Sequence, residues 1–324
     1  MEKDETINNL NFKQILDEIS NINLPINKNS LNKFSDLNKR DQIYLKDYWA
    51  DIPVKKKNEL IKQLIILSNS DNLFSFIDLG KIGLSDSDTE VVLNSIQLCK
   101  DYQNSDLAKL LLNILETNQG ITIKESAIDA LGTYVYLGEL ESIPTDLYKD
   151  IYITLHEYAK NYDYQIIRQK ALEALGYASN SEINELILDS YNNGDSAWIK
   201  SAIVAMKNSA DPRWEEIINR HITDPEYDIQ IEAIKAVGEI GIHSTSEYLI
   251  ELLENYENLD FELFSAIIWS LSQIGGKNVR DIFNYLLDNS ESNEEIMMLE
   301  DALENLDFFD GLPDLSIFDF NEPL

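Results

Sequence analysis

A six-residue unit recurs along this chain, and its spacing constrains the fold more than any bulk property does. The unit is a small or apolar residue, two further positions, a second small residue, an aliphatic residue and often glycine. It reads Ala127-Ile-Asp-Ala130-Leu131-Gly132, Ala171-Leu-Glu-Ala174-Leu175-Gly176, Ala202-Ile-Val-Ala205-Met206 and Ala233-Ile-Lys-Ala236-Val237-Gly238. Weaker copies are Ser95-Ile-Gln-Leu98-Cys99, Ile267-Ile-Trp-Ser270-Leu271 and Leu299-Glu-Asp-Ala302-Leu303. Successive units are 32, 44, 31, 31, 34 and 32 residues apart, the length of a helix pair. Small residues at i and i+3 let two helices approach closely, and the aliphatic residue at i+4 fills the space between repeats. The glycine is expected to end its helix by taking positive φ.

Between units lies a second amphipathic stretch, as in Ile183 to Asp189, Trp214 to Arg220, Tyr248 to Leu253 and Val279 to Leu287. Asp211-Pro212 and Asp224-Pro225 read as N-cap acids before first-turn prolines, and Asp86 and Asp88 precede the helix around Val91. A lone hairpin cannot bury both its faces, so the repeats are expected to stack into one elongated, all-α, right-handed solenoid.

The order of an aliphatic helix, an Asp-rich turn and Val/Ile-Arg-x-x-Ala-x-x-Ala-Leu-Gly resembles the bacterial HEAT repeat, in the subtype named after phycobilisome lyases. Ile167-Arg168-Gln-Lys-Ala171-Leu-Glu-Ala174-Leu175-Gly176 matches it best. At the family's Arg position the other units hold Val92, Lys124, Ile199, Gln230, Phe264 and Ile296, so the ladder of arginines is mostly gone. Phe34-Ser-Asp-Leu37, Tyr48-Trp49-x-x-Ile52-Pro53 and Glu59 to Leu64 resemble a leader of bacterial HEAT-repeat proteins of unassigned function. The expected layout is a helical N-terminal cap over 1–70, seven or so hairpins over 71–305, and an acidic-aromatic tail over 306–324. Within 1–36, Phe12, Ile15, Leu16 and Ile19 mark a short helix; the tail is expected to fold back over the last repeat, with docking on a partner as the alternative.

With 58 Asp and Glu against 26 Lys and Arg, the net charge is −32. Such a field repels nucleic-acid backbones and anionic membranes, whose binding depends on Lys and Arg. The excess serves solubility and also admits a basic protein partner. Cys99, the one cysteine, lies in an apolar stretch and reads as a buried structural thiol. The N-terminus shows no apolar signal region and no run of apolar residues is long enough to span a bilayer, so a cytoplasmic location is expected.

Signals for chemistry are sparse. Of the three histidines only His156 precedes a glutamate, whereas the di-iron hydroxylase variant that resembles this architecture needs several His-Glu pairs. Gly275-Gly276 reads as a Schellman-type helix stop rather than a phosphate loop. The expectation is no catalytic, cofactor or metal site, and a non-catalytic protein-binding scaffold. The resemblance also implies an alternative, an enzyme handling a linear tetrapyrrole in the manner of bilin lyases.

A partner is expected on the concave wall, lined by the second helix of each hairpin. Positions two before and two after the first small residue give Glu125, Asp129, Gln169, Glu173, Lys200, Lys235 and Trp269 as candidates. The 44-residue interval adds a tyrosine-rich stretch, Tyr134 to Tyr164, expected to pack against its own neighbours. Trp49, Trp198 and Trp214 read as core or cap residues.

Overall fold

The computed structural model describes residues 11–70, 73–117, 120–192, 195–254, 256 and 259–310. Among the described residues all regular structure is helical, with seventeen α-helices and three short 3-10 helices. The chain divides into two compact units, Met1–Ala171 and Leu172–Leu324.

The first unit opens with α1 (Phe12–Ser20), where Asn11 and Gln14 form a reciprocal capping box. Its Phe12, Ile15, Leu16 and Ile19 are all buried, as their helical spacing predicts. After a 3-10 turn over Lys28–Phe34 come α2 (Lys39–Trp49) and α3 (Val54–Ser70). Phe34, Leu37, Trp49, Ile52, Leu60, Ile61 and Leu64, the apolar residues of the leader pattern, share one core with α1. That core also holds a buried ion pair. Lys57 donates to Asp86 at 2.8 Å, and the Trp49 indole N–H donates to the same carboxylate at 2.7 Å. Burial alone would raise the Asp86 carboxyl; hydrogen bonds from Lys57, the Asp88 amide and Trp49 outweigh it and hold the group below its ordinary value.

Two hairpins follow, α4 (Ile77–Gly83) with α5 (Thr89–Cys99) and α6 (Ser105–Glu116) with α7 (Ile121–Glu139). Asp88 caps α5 by accepting from Val91 N at 3.0 Å, as expected. The 44-residue interval is absorbed by helix length: α7 runs 19 residues and α8 (Thr145–Asn161) runs 17. Three of its tyrosines serve this packing, whereas Tyr136 and Tyr164 are exposed. Tyr134 donates to Tyr102 O at 2.9 Å, Tyr158 to Leu115 O at 2.7 Å, and Tyr148 to Glu139. Burial, with the Glu139 carboxylate beside it, pushes the Tyr148 phenol far up, so it stays a donor.

The position at which the resembled repeat carries Arg has a physical role here. Lys124, buried in α7, donates to Leu115 O at the end of α6 and lies 5.8 Å from the Tyr158 and Tyr162 ring centres. In the second unit Gln230 donates from the same position to Ile222 O at 3.1 Å. Each satisfies a carbonyl left open at the C-terminus of the preceding helix.

The division between units falls within α9 (Gln165–Leu175). The second unit then holds four hairpins: α10 (Ser181–Asn192) with α11 (Ser196–Ser209), α12 (Glu215–His221) with α13 (Tyr227–Ile240), α14 (Ser246–Leu253) with α15 (Phe261–Ile274), and α16 (Val279–Asn289) with α17 (Asn293–Asp310). The second helices α11, α13, α15 and α17 pack side by side in that order. Asp195 and Asp260 cap α11 and α15, and Asp211 caps the 3-10 turn before α12. Asp224 departs from expectation: it caps no helix start, accepting instead from Glu226 N in the turn and contacting His221. Trp214 is buried, with its N–H on Ser209; Trp49 is buried and Trp198 half-buried.

The glycine of the repeated unit falls at a helix end only at Gly176, which follows the last residue of α9, and there without the expected positive φ. Gly132 and Gly238 lie inside α7 and α13, and none of Gly132, Gly176 and Gly238 has positive φ. The role of Gly176 and Gly238 is close approach. A Cβ at Gly176 would sit 2.5 Å from Ala205 O and 2.8 Å from Ala205 Cα; one at Gly238 would sit 2.9 Å from Ser270 Cα. The stop of α13 falls to Gly241, at φ 79. Gly275 does end α15, but at φ 61 and ψ −154 it is outside the left-handed helical region of a Schellman stop.

Of the expected tail, 306–310 is the last turn of α17, and 311–324 lies outside the described residues.

Two outcomes follow from this packing. Gly176→Ala should destabilise by about 2 kcal/mol in urea unfolding, because backbone rather than a flexible side chain occupies the space. Asp86→Ala should cost about 3 kcal/mol by leaving Lys57 buried without its counter-ion. Because the Asp86 pKa is depressed in the fold, its contribution is present above the unfolded carboxylate value and is lost as pH falls through the folded one, so wild type and Asp86→Ala should converge in acid.

Candidate functional site

The expected surface positions meet different fates. On α7, Asp129 is exposed and Glu125 half-buried. Gln169, on α9, is not on an outward surface at all: it is 5% exposed, and its side-chain NH2 has no hydrogen-bond partner among the described residues. Its position drifted inward because α9 turns the residue two before Ala171 toward the core rather than away from it. Glu173 is half-buried; its carboxylate accepts from Ser201 at 2.7 Å and its carbonyl from Asn208 at 2.8 Å.

Within the second unit the remaining candidates share one face of the second helices. Lys200 on α11 reaches Asp228 on α13 at 2.7 Å. Lys207, two turns further along α11, reaches Glu232 at 2.6 Å. Glu232 also receives Lys235 at 3.2 Å, and Lys235 lies 3.6 Å from Glu262 on α15. A chain of alternating charge therefore crosses α11, α13 and α15. Burial would raise the Glu232 carboxyl, but Lys207 and Lys235 outweigh it and hold the group low. The hydrogen bond from Lys200 likewise holds Asp228 low.

Trp269 lies just beyond this network and is 37% exposed. It borders two depressions. One, of 360 Å³, is lined by Lys207, Lys235, Glu239 and Glu262 with Ser265 and Ala266; the other, of 550 Å³, lies between α15 and α17. Sequence reasoning missed Lys207, Glu232 and Glu262. A helical face repeats every 3.6 residues, so positions five before, one before and five after the first small residue share it with the positions chosen. Extending the period by one turn each way would have found them.

Among the described residues no group of three or more His, Cys, Asp or Glu side chains is placed to share a metal ion. His221 bridges Tyr191 and Asp224, His243 faces Ile274 O, and His156 stacks on Tyr152, each in a separate place. Cys99 is buried, and burial pushes its thiol up to about 12, far from a reactive thiolate. No described helix is long and apolar enough to cross a membrane.

No family profile matches the chain, and no curated protein matches it. Among solved structures, the Escherichia coli YibA protein is 15% identical, with 86% of this chain and 95% of that chain covered and a TM-score of 0.40. The complex of CpcE and CpcF of phycocyanin lyase from Nostoc sp. PCC7120 is 14% identical, with 71% and 94% covered and a TM-score of 0.46. A designed armadillo repeat protein is 14% identical, with 91% and 100% covered and a TM-score of 0.24. Likeness at this level assigns no site and no activity. The class of the protein is set by its own helices: in both units it is an α-solenoid of HEAT-type helical hairpins.

Replacing Glu232 by Gln should cost about 1.5 kcal/mol, since Lys207 and Lys235 would face each other without the carboxylate between them. Its pKa is depressed in the fold, so the wild-type advantage is complete above the unfolded glutamate value and shrinks as pH drops through the folded one. Urea unfolding of both proteins at neutral and acid pH measures this.

Proposed function

We propose that this protein is a cytoplasmic, non-catalytic scaffold that binds a basic protein partner along an extended surface of its helical repeats. The observation that carries the reading is an asymmetry of charge. The first unit has 19 Lys and Arg against 26 acids, net −7, and the second has 7 against 32, net −25. Solubility alone needs no such segregation, whereas a concentrated field steers an oppositely charged partner and raises its association rate. The second-helix face supplies the rest: an ordered charge network with a half-exposed tryptophan beside it, the combination of polar register and aromatic anchor on which protein interfaces rely.

An affinity capture from the native lysate tests this, run at about 0.05 and 0.5 M salt with an absorption spectrum and metal analysis of the purified protein. The expected result is one stoichiometric polypeptide, rich in Lys and Arg, released as salt rises. A bound linear tetrapyrrole or a stoichiometric metal would overturn the non-catalytic reading; a partner without basic character would overturn its electrostatic part.

A further inference from the structure

The groove between α15 and α17 differs from the rest of the second-helix face in how its charges are balanced. Its wall is apolar: Phe261, Ile268 and Trp269 from α15, Met297 and Met298 from α17. Met297 is 65% exposed and Phe261 49%, and leaving such side chains in water forgoes the burial that stabilises the rest of the stack. On the rim stand Glu294 and Asp301, both exposed. Glu232, on the neighbouring network, is held by two lysines. Among the described residues neither Glu294 nor Asp301 has an ion-pair partner.

We infer that this groove takes a short basic amphipathic segment of the partner, an apolar side chain against Trp269 and Met297 and Lys or Arg on Glu294 and Asp301. The inference rests on the scaffold reading and names its docking point. The fit is one of charge and length. Phe261 to Ser272 spans about 16 Å of helix, which a segment of roughly ten helical residues matches. Methionine side chains adapt to varied apolar shapes, and an aromatic beside them supplies a rigid anchor. The chain's own last residues, 311–324, bring Asp314, Asp319 and Glu322 and no Lys or Arg. They would add like charge to an acidic rim. A second copy of the chain would set one strongly acidic unit against another.

Fluorescence anisotropy with two labelled 14-residue peptides tests the inference on the full chain: Leu and Lys at helical spacing, and the same with Glu for Lys. The Leu/Lys peptide should bind and the Leu/Glu peptide should not. Trp269→Ala should weaken binding about tenfold or more, as should Met297→Lys, whose exposed side chain is not needed for folding; circular dichroism checks that both keep their helices. The pair Glu294→Lys and Asp301→Lys should weaken it as much. Glu185→Lys with Asp189→Lys on α10 makes the same change in net charge away from the groove, and should leave affinity within about threefold.

Equal loss in that control would show only a general field effect and overturn the site. Equal binding of the Leu/Glu peptide would reduce the groove to an apolar surface. A tenfold gain for both peptides on removing 311–324 would assign the groove to the chain's own end, and a dimer in sedimentation that Trp269→Ala dissolves would assign it to a second copy. If the Glu294→Lys, Asp301→Lys protein still captures its partner from lysate, the scaffold reading stands and the groove falls. If wild type captures none while the Leu/Lys peptide binds at Trp269, the groove stands and the scaffold reading falls.

Discussion

Everything in the second unit depends on how closely consecutive second helices can approach. Gly176 lies against the backbone of Ala205, and Gly238 against Ser270 Cα. Ser270, fully buried, donates across the same seam to Ile234 O at 2.7 Å. A larger side chain at any of these points would push the helices apart and open voids along the seam, since interiors are packed near their limit. A buried serine is tolerated only because the neighbouring helix is near enough to offer a carbonyl. The small residues are thus what lets one hairpin bury the face the previous one leaves open.

Close approach also explains the charge network on the second-helix face. With helices this near, a lysine on one reaches a carboxylate on the next without a long excursion. Lys200 to Asp228, Lys207 to Glu232 and Lys235 to Glu262 each link consecutive second helices. Exposed pairs of this kind contribute little stability individually, but a shared carboxylate fixes several long side chains in one arrangement. If a partner binds here as proposed, a face already ordered by these pairs would lower the entropy that binding must overcome.

How much of this was legible in the sequence depends on the range over which each feature is decided. The repeated unit is a local pattern with a period, so the second helices sit where it recurs, and the four apolar residues of α1 and those of the leader pattern are buried as read. The role of the glycine was misread because Gly after an aliphatic residue looks the same whether it ends a helix or admits a neighbour. Only the partner helix decides, and it lies some thirty residues away. Gln169 failed for a related reason. Face assignments drift when a helix rotates by a few tens of degrees, and that rotation is set by packing rather than by the helix's own residues. Of the other six positions, Asp129 and Trp269 are exposed and Glu125, Glu173, Lys200 and Lys235 are half-buried.

The charge pattern carries the argument furthest. Of the seven cations of the second unit, Lys200, Lys207 and Lys235 lie on the second-helix face, each paired with an acid there. Neutralising acids there, and leaving Glu294 and Asp301 open beside exposed apolar groups, divides one surface into a balanced stretch and an unbalanced one. A uniform acidic field would attract any polycation with equal ease. On the scaffold reading proposed above, a surface whose acids are mostly paired over one stretch and left open at its end would favour a partner whose basic residues fall at the open positions. On that reading the same arrangement would give both long-range attraction by the whole unit and selection at short range, with the selection residing in where the lysines are as much as in where the acids are.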